Sequence, residues 1–393
     1  MKFGRIGIVF AKEVIDNLRD RRTLITVLLS TMIGPAMLFL LFTVMGRESS
    51  ERADKPIDLP VSGAEYAPNL ITFLSQNDVK IQSGPADPES EVRAGNHDVV
   101  LVIPSSHPED FTAGRPATVR LVVDQSRQSS GATVMRVQRL LEAYNNQIAT
   151  LRLMARGVSP TVVNALALEE VDVATPQSMA AMLLYIMPFF LVIAVFTGGM
   201  YLAIDTTAGE RERGSMEPLL INPVERSELV LGKLGATLLF TLITVIGTLL
   251  GFAAMLRLLP LDVYFGLQFE FSLDSLGLLL LITVPMMLLA APLQIIIATY
   301  TRSFKEAQSY LSFLPLIPGI PGMVMGLLPV KADLWAMLIP TFGQQLLIIQ
   351  VMRGESLNPL HFTVSAAITT VVGIAMVVFA IRLYQREGLP FGR

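Results

Sequence analysis

Six stretches of the chain, 23–45, 181–204, 234–256, 276–299, 310–330 and 362–383, each run for about 20 residues with no Asp, Glu or Lys in their interiors. A helix of that length crosses the hydrocarbon core of a bilayer, and no other open structure satisfies its backbone there. The runs predict an α-helical polytopic membrane protein. Composition agrees, because 52% of the 393 residues are hydrophobic and only 16% are charged, too few for a water-facing surface of this size. The net charge of −3 gives no basic excess, so no nucleic-acid partner is expected. With no cysteine, disulfides, thiolate catalysis and Cys-based zinc sites are excluded. His97, His107 and His361 are scattered without metal-ligand spacing, and no catalytic group or metal site is expected.

Lys2, Arg5, Lys12, Arg19, Arg21 and Arg22 precede the first run, which places the N-terminus in the cytoplasm. Residues 1–22 hold Ile6, Phe10, Val14 and Leu18 at four-residue spacing beside Ile15, with Lys12, Glu13, Asp16 and Arg19 on other faces. That pattern predicts an amphipathic helix on the membrane surface. The first transmembrane helix, 23–45, reads as an uncleaved anchor. Residues 46–178 are polar and turn-rich, and predict an inserted extracytoplasmic α/β domain with strands at 77–81, 98–103 and 117–124. Within it, Asp87 fits an N-cap, Pro88 a first helical position and Gly95 a stop. A long helix over 129–156 carries Val134, Val137, Leu141, Tyr144, Ile148 and Leu151, and Gly157 ends it.

Residues 179–383 form the transmembrane domain with the other five helices. Inside it, 334–352 is shorter than a span, is interrupted by Pro340 and Gly343, and contains Gln344, Gln345 and Gln350. It reads as a re-entrant segment, which returns the tail 384–393 to the cytoplasm and makes both termini cytoplasmic.

Between the second and third runs lies "GERERGSMEPLLINPVERSELVLGK", with nine charged residues. Its signs nearly balance, so it is a poor lipid-headgroup patch. Met216, Leu219, Leu220 and Ile221 give it an apolar face that a solvated loop does not need. A docking element for a cytoplasmic protein would use one.

This stretch resembles the cytoplasmic signature of ABC-2 type transporter permeases, in particular the branch named after the sodium-efflux permease NatB. The matching positions are Glu210, Arg211, Gly214, Ser215, Glu217, Leu219 and Leu220, then Pro223, Val224 and Arg226, then Gly232 and Lys233. "KEVIDNLRDRRTL" is similar to the family's connecting helix, the run from "DVVLVIP" to "VRLVVDQS" to its extracytoplasmic domain, and "LIPTFGQQLLIIQVMRGE" to its re-entrant segment. The resemblance implies an exporter permease of the bacterial inner membrane, multi-pass, working as a homodimer in lipid with a separate NatA-like cytoplasmic ATPase. It assigns ATPase coupling to Glu210, Arg211, Gly214, Ser215, Glu217, Leu219, Leu220, Pro223 and Arg226, within a coupling hairpin over 205–233. "VLGKLGA" lacks the Walker A spacing, so ATP and Mg belong on the partner and this chain is expected to bind no cofactor.

Pro315, Pro318 and Pro321 weaken the helix over 310–330 and make it a candidate gate, and Gln294, Gln344 and Gln345 are candidate pathway residues or helix ties. The resemblance implies Na⁺ as cargo. Run interiors without Asp or Glu are equally compatible with a lipid-like, drug or peptide cargo. A membrane-anchored sensor or scaffold, its external domain binding a ligand, is the alternative reading.

Overall fold

The computed structural model describes residues 3–54, 56–124, 131–163, 185–215, 224–261, 272–325 and 332–385. The chain divides into two compact units, Met1–Ser49 with Val173–Arg393, and Ser50–Asp172.

The first unit is helical. α1 (Phe3–Arg19) precedes α2 (Arg21–Asp54). After the second unit come α7 (Met187–Glu212), α8 (Arg226–Leu258) and α9 (Leu273–Tyr300). Two ten-residue helices follow, α10 (Phe304–Phe313) and α11 (Leu316–Met325). A short pair, α12 (Leu334–Met337) and α13 (Phe342–Met352), precedes α14 (Pro359–Gln385).

Among the described residues five helices are long and apolar enough to cross a membrane: α2, α7, α8, α9 and α14. The sequence pattern gives six, and the difference lies at 310–330. There the backbone turns at Leu314 and Pro315, splitting the run into α10 and α11. Proline cannot donate to the i−4 carbonyl and its ring crowds the preceding turn. Residues 326–330 lie outside the described set. The apolar run stops at 204, and the helix continues out of it to Glu212 through one widened π turn at Asp205–Gly209, as the charged stretch allows.

Small residues let these helices approach closely. A β-carbon on Gly198 would lie 2.7 Å from Thr244 Cβ, and one on Gly199 would lie 2.6 Å from Thr237 Cγ2. Thr237, Thr241, Thr244 and Thr248 are buried along that face of α8, each donating its hydroxyl to the carbonyl four residues back. Their polarity is thereby satisfied within the helix, and the smooth face packs as small-residue interfaces in membranes do. Val9 of α1 seats on Gly232 of α8 in the same way.

The second unit is an α/β domain. β1 (Ile57–Ser62), β2 (Val79–Ser83), β3 (Val99–Val102) and β4 (Arg120–Val123) form one sheet in the order β2-β1-β3-β4. β1 is parallel to both neighbours, and β4 is antiparallel to β3. α3 (Pro68–Gln76) and α6 (Gly131–Ala155) cover one face, where Leu59, Leu70, Leu74, Leu101 and Val137 form the core. α4 (Pro88–Ala94) packs on β3 and β4, and α5 (His107–Thr112) follows β3. The Asp87 side chain accepts from the Ser90 amide, and Gly95 ends α4 at φ 84°. Gly157 takes φ 69° after α6.

The central strand β1 is absent from the sequence reading, and it carries Pro60, a residue that interior strands rarely hold. The register explains the tolerance. The Ile57 amide and the Val61 carbonyl point to the β2 side, so the nitrogen of Pro60 points toward β3. β3 pairs with β1 only from Val61 onward, so no ladder bond is lost.

Candidate functional site

The charged segment after α7 begins with a helix stop. Gly214 adopts φ 67°, its amide donates to the Arg211 carbonyl, and the Ser215 amide donates to the Glu210 carbonyl. Those two bonds form a Schellman motif, for which glycine at the left-handed position is the natural residue. Two of the motif positions read from sequence, Gly214 and Ser215, thus turn the chain out of α7.

Lys233, near the start of α8, is 2% exposed. Its ammonium donates to a Glu210 carboxylate oxygen and to the Thr206 carbonyl. The π turn places that carbonyl within the widened ladder of α7. Glu210 is itself 5% exposed and lies 3.8 Å from Lys12 of α1. Glu13 of α1, also buried, accepts from Lys12 at 3.0 Å. Burial pushes the Glu13 carboxyl above its ordinary range; Lys233 pulls it back and Glu210 pushes it further up. Two carboxylates and two ammoniums from α1, α7 and α8 make one knot.

Around the knot, charged side chains complete helix ends. The Arg211 guanidinium donates at 2.7 Å to the carbonyls of Thr299 and Thr301, at the C-terminus of α9. Arg226 donates to the carbonyls of Tyr384 and Gln385, the last residues of α14. The Glu212 carboxylate accepts at 2.7 Å from the Phe304 amide, the first of α10. Glu225 and Glu228 form a capping box at the start of α8. Cations sit at C-termini and anions at N-termini, the arrangement that satisfies orphan backbone groups and opposes the helix dipole. Arg213 pairs with Asp205 at 2.7 Å.

Of the residues assigned to partner coupling, Glu210, Arg211, Gly214, Ser215 and Arg226 are therefore engaged within the chain. Glu217, Leu219, Leu220 and Pro223 lie outside the described residues. Sequence reasoning also placed Glu13 on an outward polar face of α1. It is turned inward, while Ile8, Ile15 and Leu18 are exposed. The amphipathic pattern misleads here because Glu13 packs with Lys12 beside the buried Glu210–Lys233 pair, partners that the pattern of α1 alone does not show. A lysine at the head of an apolar run was the one available signal.

The glutamines tie other segments together. Gln294 of α9 donates at 2.8 Å to the Phe196 carbonyl of α7. Gln344 donates to the Ser365 carbonyl at 3.0 Å and to the Thr369 hydroxyl at 2.6 Å, both on α14. Gln345 donates to the Pro318 carbonyl of α11 at 2.8 Å and back to Thr341 at 3.1 Å. Its oxygen lies so close to Gly322 that any β-carbon there would collide. Thr341, between α12 and α13, holds φ 70°, a strained value for a β-branched residue. Beside these ties is a cavity of about 520 Å³ with lining from Phe196, Leu289, Leu293, Pro318, Pro321 and Phe342. Pro315 does not line it.

Comparison with known proteins agrees with this arrangement. Residues 21–382 match the family described as ABC-2 family transporter protein. Over 355 residues the chain is 27% identical to the ABC transporter permease protein NatB of Bacillus subtilis (strain 168), covering 88% of this chain and 89% of that one. Apolar helices of spanning length, braced charged residues at the end of α7 and the start of α8, and a family match over nearly the whole length lead to one assignment: the chain is a multi-pass membrane protein that belongs to the ABC-2 transporter family, as a transmembrane transport subunit.

Proposed function

We propose that the chain is the permease subunit of an ATP-driven exporter, with its charged hairpin seated on a separate cytoplasmic ATPase. The observation that carries this reading is the bracing around Lys233. The root of the hairpin is bonded to α1, α8, α9, α10 and α14. A push delivered there reaches five helices through ion pairs and charge-assisted hydrogen bonds rather than through a loose loop. The braces leave contact with the ATPase to Glu217, Leu219 and Leu220, between the two anchored ends. Both termini are then cytoplasmic, and two copies line one pathway.

The cavity between α7, α9, α11 and the α12–α13 pair is lined mainly by apolar side chains, with Thr341 the polar exception, and the apolar runs contain no Asp or Glu. Both features favour an apolar or amphipathic cargo over a sodium ion, which needs carboxylates or a dense oxygen cluster.

The test is affinity purification of the full chain from detergent-solubilised membranes, beside a variant carrying Glu217→Lys and Leu220→Asp. An ABC ATPase should accompany the wild type and be lost from the variant, while the variant's own thermal midpoint stays unchanged. Failure of any ATPase to co-purify with the wild type would remove the energy source and the exporter reading with it.

A further inference from the structure

The sheet of the α/β domain ends on one side in β4, and the far edge of β4 pairs with no strand among the described residues. A groove of about 810 Å³ runs along that edge, lined by residues 120–124 and, from α4, by Glu89, Val92 and Arg93. An open edge presents unpaired amides and carbonyls, a ready template for another strand. The two edges of this sheet differ. β2 carries exposed Lys80 at its second position, one of the usual devices that blunt an edge. β4 reads Arg-Leu-Val-Val and runs on into Asp124, with its charges at the two ends only and no proline or bulge in its pairing.

Side chains alternate along the strand. Leu121 and Val123 pack into the core beneath the sheet, so Arg120, Val122 and Asp124 share the face toward α4. Turned onto itself by a two-fold axis, such a strand pairs antiparallel with its own copy. Centred on Val122, the register sets Val122 against Val122 and Leu121 against Val123. It also sets Arg120 against Asp124 at both ends. Centring one residue either way places Arg120 or Asp124 against Val122 instead. Only one register matches both charges, and opposite charges directly across a ladder stabilise it. Asp124 already has an interaction within its own chain. A carboxylate has acceptor sites enough for a second donor.

We propose that β4 of one copy pairs with β4 of a second copy, centred on Val122, joining two four-stranded sheets into one across a two-fold axis. The proposal rests on the reading that two copies of the permease act together, and adds where they meet outside the helical unit.

The chain has no cysteine, so any disulfide formed in a single-cysteine variant reports that position alone. Directly opposed residues in an antiparallel pair have Cα atoms about 4.5–5.5 Å apart, within the range a disulfide spans. Full-length Val122→Cys, oxidised mildly in membranes, should give a covalent dimer on a non-reducing gel. Lys80→Cys, on the other edge, should not. Co-expressed Arg120→Cys and Asp124→Cys chains with different tags should link to each other, and neither should link to itself. Val122→Cys that dimerises no faster than Lys80→Cys overturns the strand pairing. Val122→Cys that links without the mixed Arg120/Asp124 product overturns the register. The same samples are probed for the co-purifying ATPase. ATPase present with no cross-link sinks this proposal and spares the exporter reading, and a cross-link without ATPase does the reverse.

Discussion

Two polar sites inside the helical unit are built from opposite materials. Around Lys233 the groups are charged, buried and bonded to several helices at once. Around Pro318 and Thr341 they are neutral amides, each holding one or two backbone carbonyls beside an apolar cavity. A buried ion pair that loses one partner leaves an uncompensated charge, at a cost of about 3–5 kcal/mol. An interhelical amide bond in a membrane contributes on the order of 1 kcal/mol. The first site resists rearrangement and suits the transfer of force. The second can exchange partners cheaply, next to a helix already broken by proline.

The largest expected effect comes from breaking the knot. Lys233→Met should lower stability by about 3–5 kcal/mol, read as a fall in the thermal midpoint of the detergent-purified chain, because buried Glu210 then keeps only the half-exposed Lys12, 3.8 Å away, against Glu13. The double variant Lys233→Met with Glu210→Gln should recover most of the loss, since both members of the pair are then neutral. A double variant as unstable as the single one would show that packing of the lysine stem, not charge, holds the site.

Gln345→Leu should cost only about 1 kcal/mol in the same measurement, through loss of its bonds to the Pro318 and Thr341 carbonyls. Its effect on transport should exceed its effect on stability, because it frees α11 from α13. Equal destabilisation by Gln345→Leu and Lys233→Met would erase the distinction between the two sites.

The smallest effect is pH-dependent and concerns Glu13. Its folded-state carboxyl lies above the ordinary value of 4.5. Between that value and the raised one, the folded chain keeps a proton that the unfolded chain has lost, so the contribution of Glu13 to stability falls as pH rises. Glu13→Gln should therefore match the wild type at or below the ordinary carboxylate range and exceed it at neutral pH. A wild-type advantage at neutral pH would mean that attraction to Lys12 and Lys233 outweighs the cost of burial.

Much of this architecture follows from local pattern. The apolar runs fix helices because unpaired backbone is not tolerated in lipid. Pro315 breaks the run at 310–330 because it lacks a donor, and Asp87, Pro88 and Gly95 bound α4 through bonds within a few residues. The position of the charged hairpin is likewise a matter of spacing. What these charges touch is not. Arg211 reaches residues 88 and 90 positions away, and Arg226 reaches residues 158 and 159 away. Glu13 turns inward against its own helical pattern, and β1 accepts Pro60 only because β3 begins to pair one residue later. Sequence by itself determined which segments are helical and where the charge lies, since those depend on neighbours along the chain. The tertiary structure alone decided which helix ends converge on that charge, because a buried ion or an orphaned carbonyl takes whichever partner the packing brings within reach.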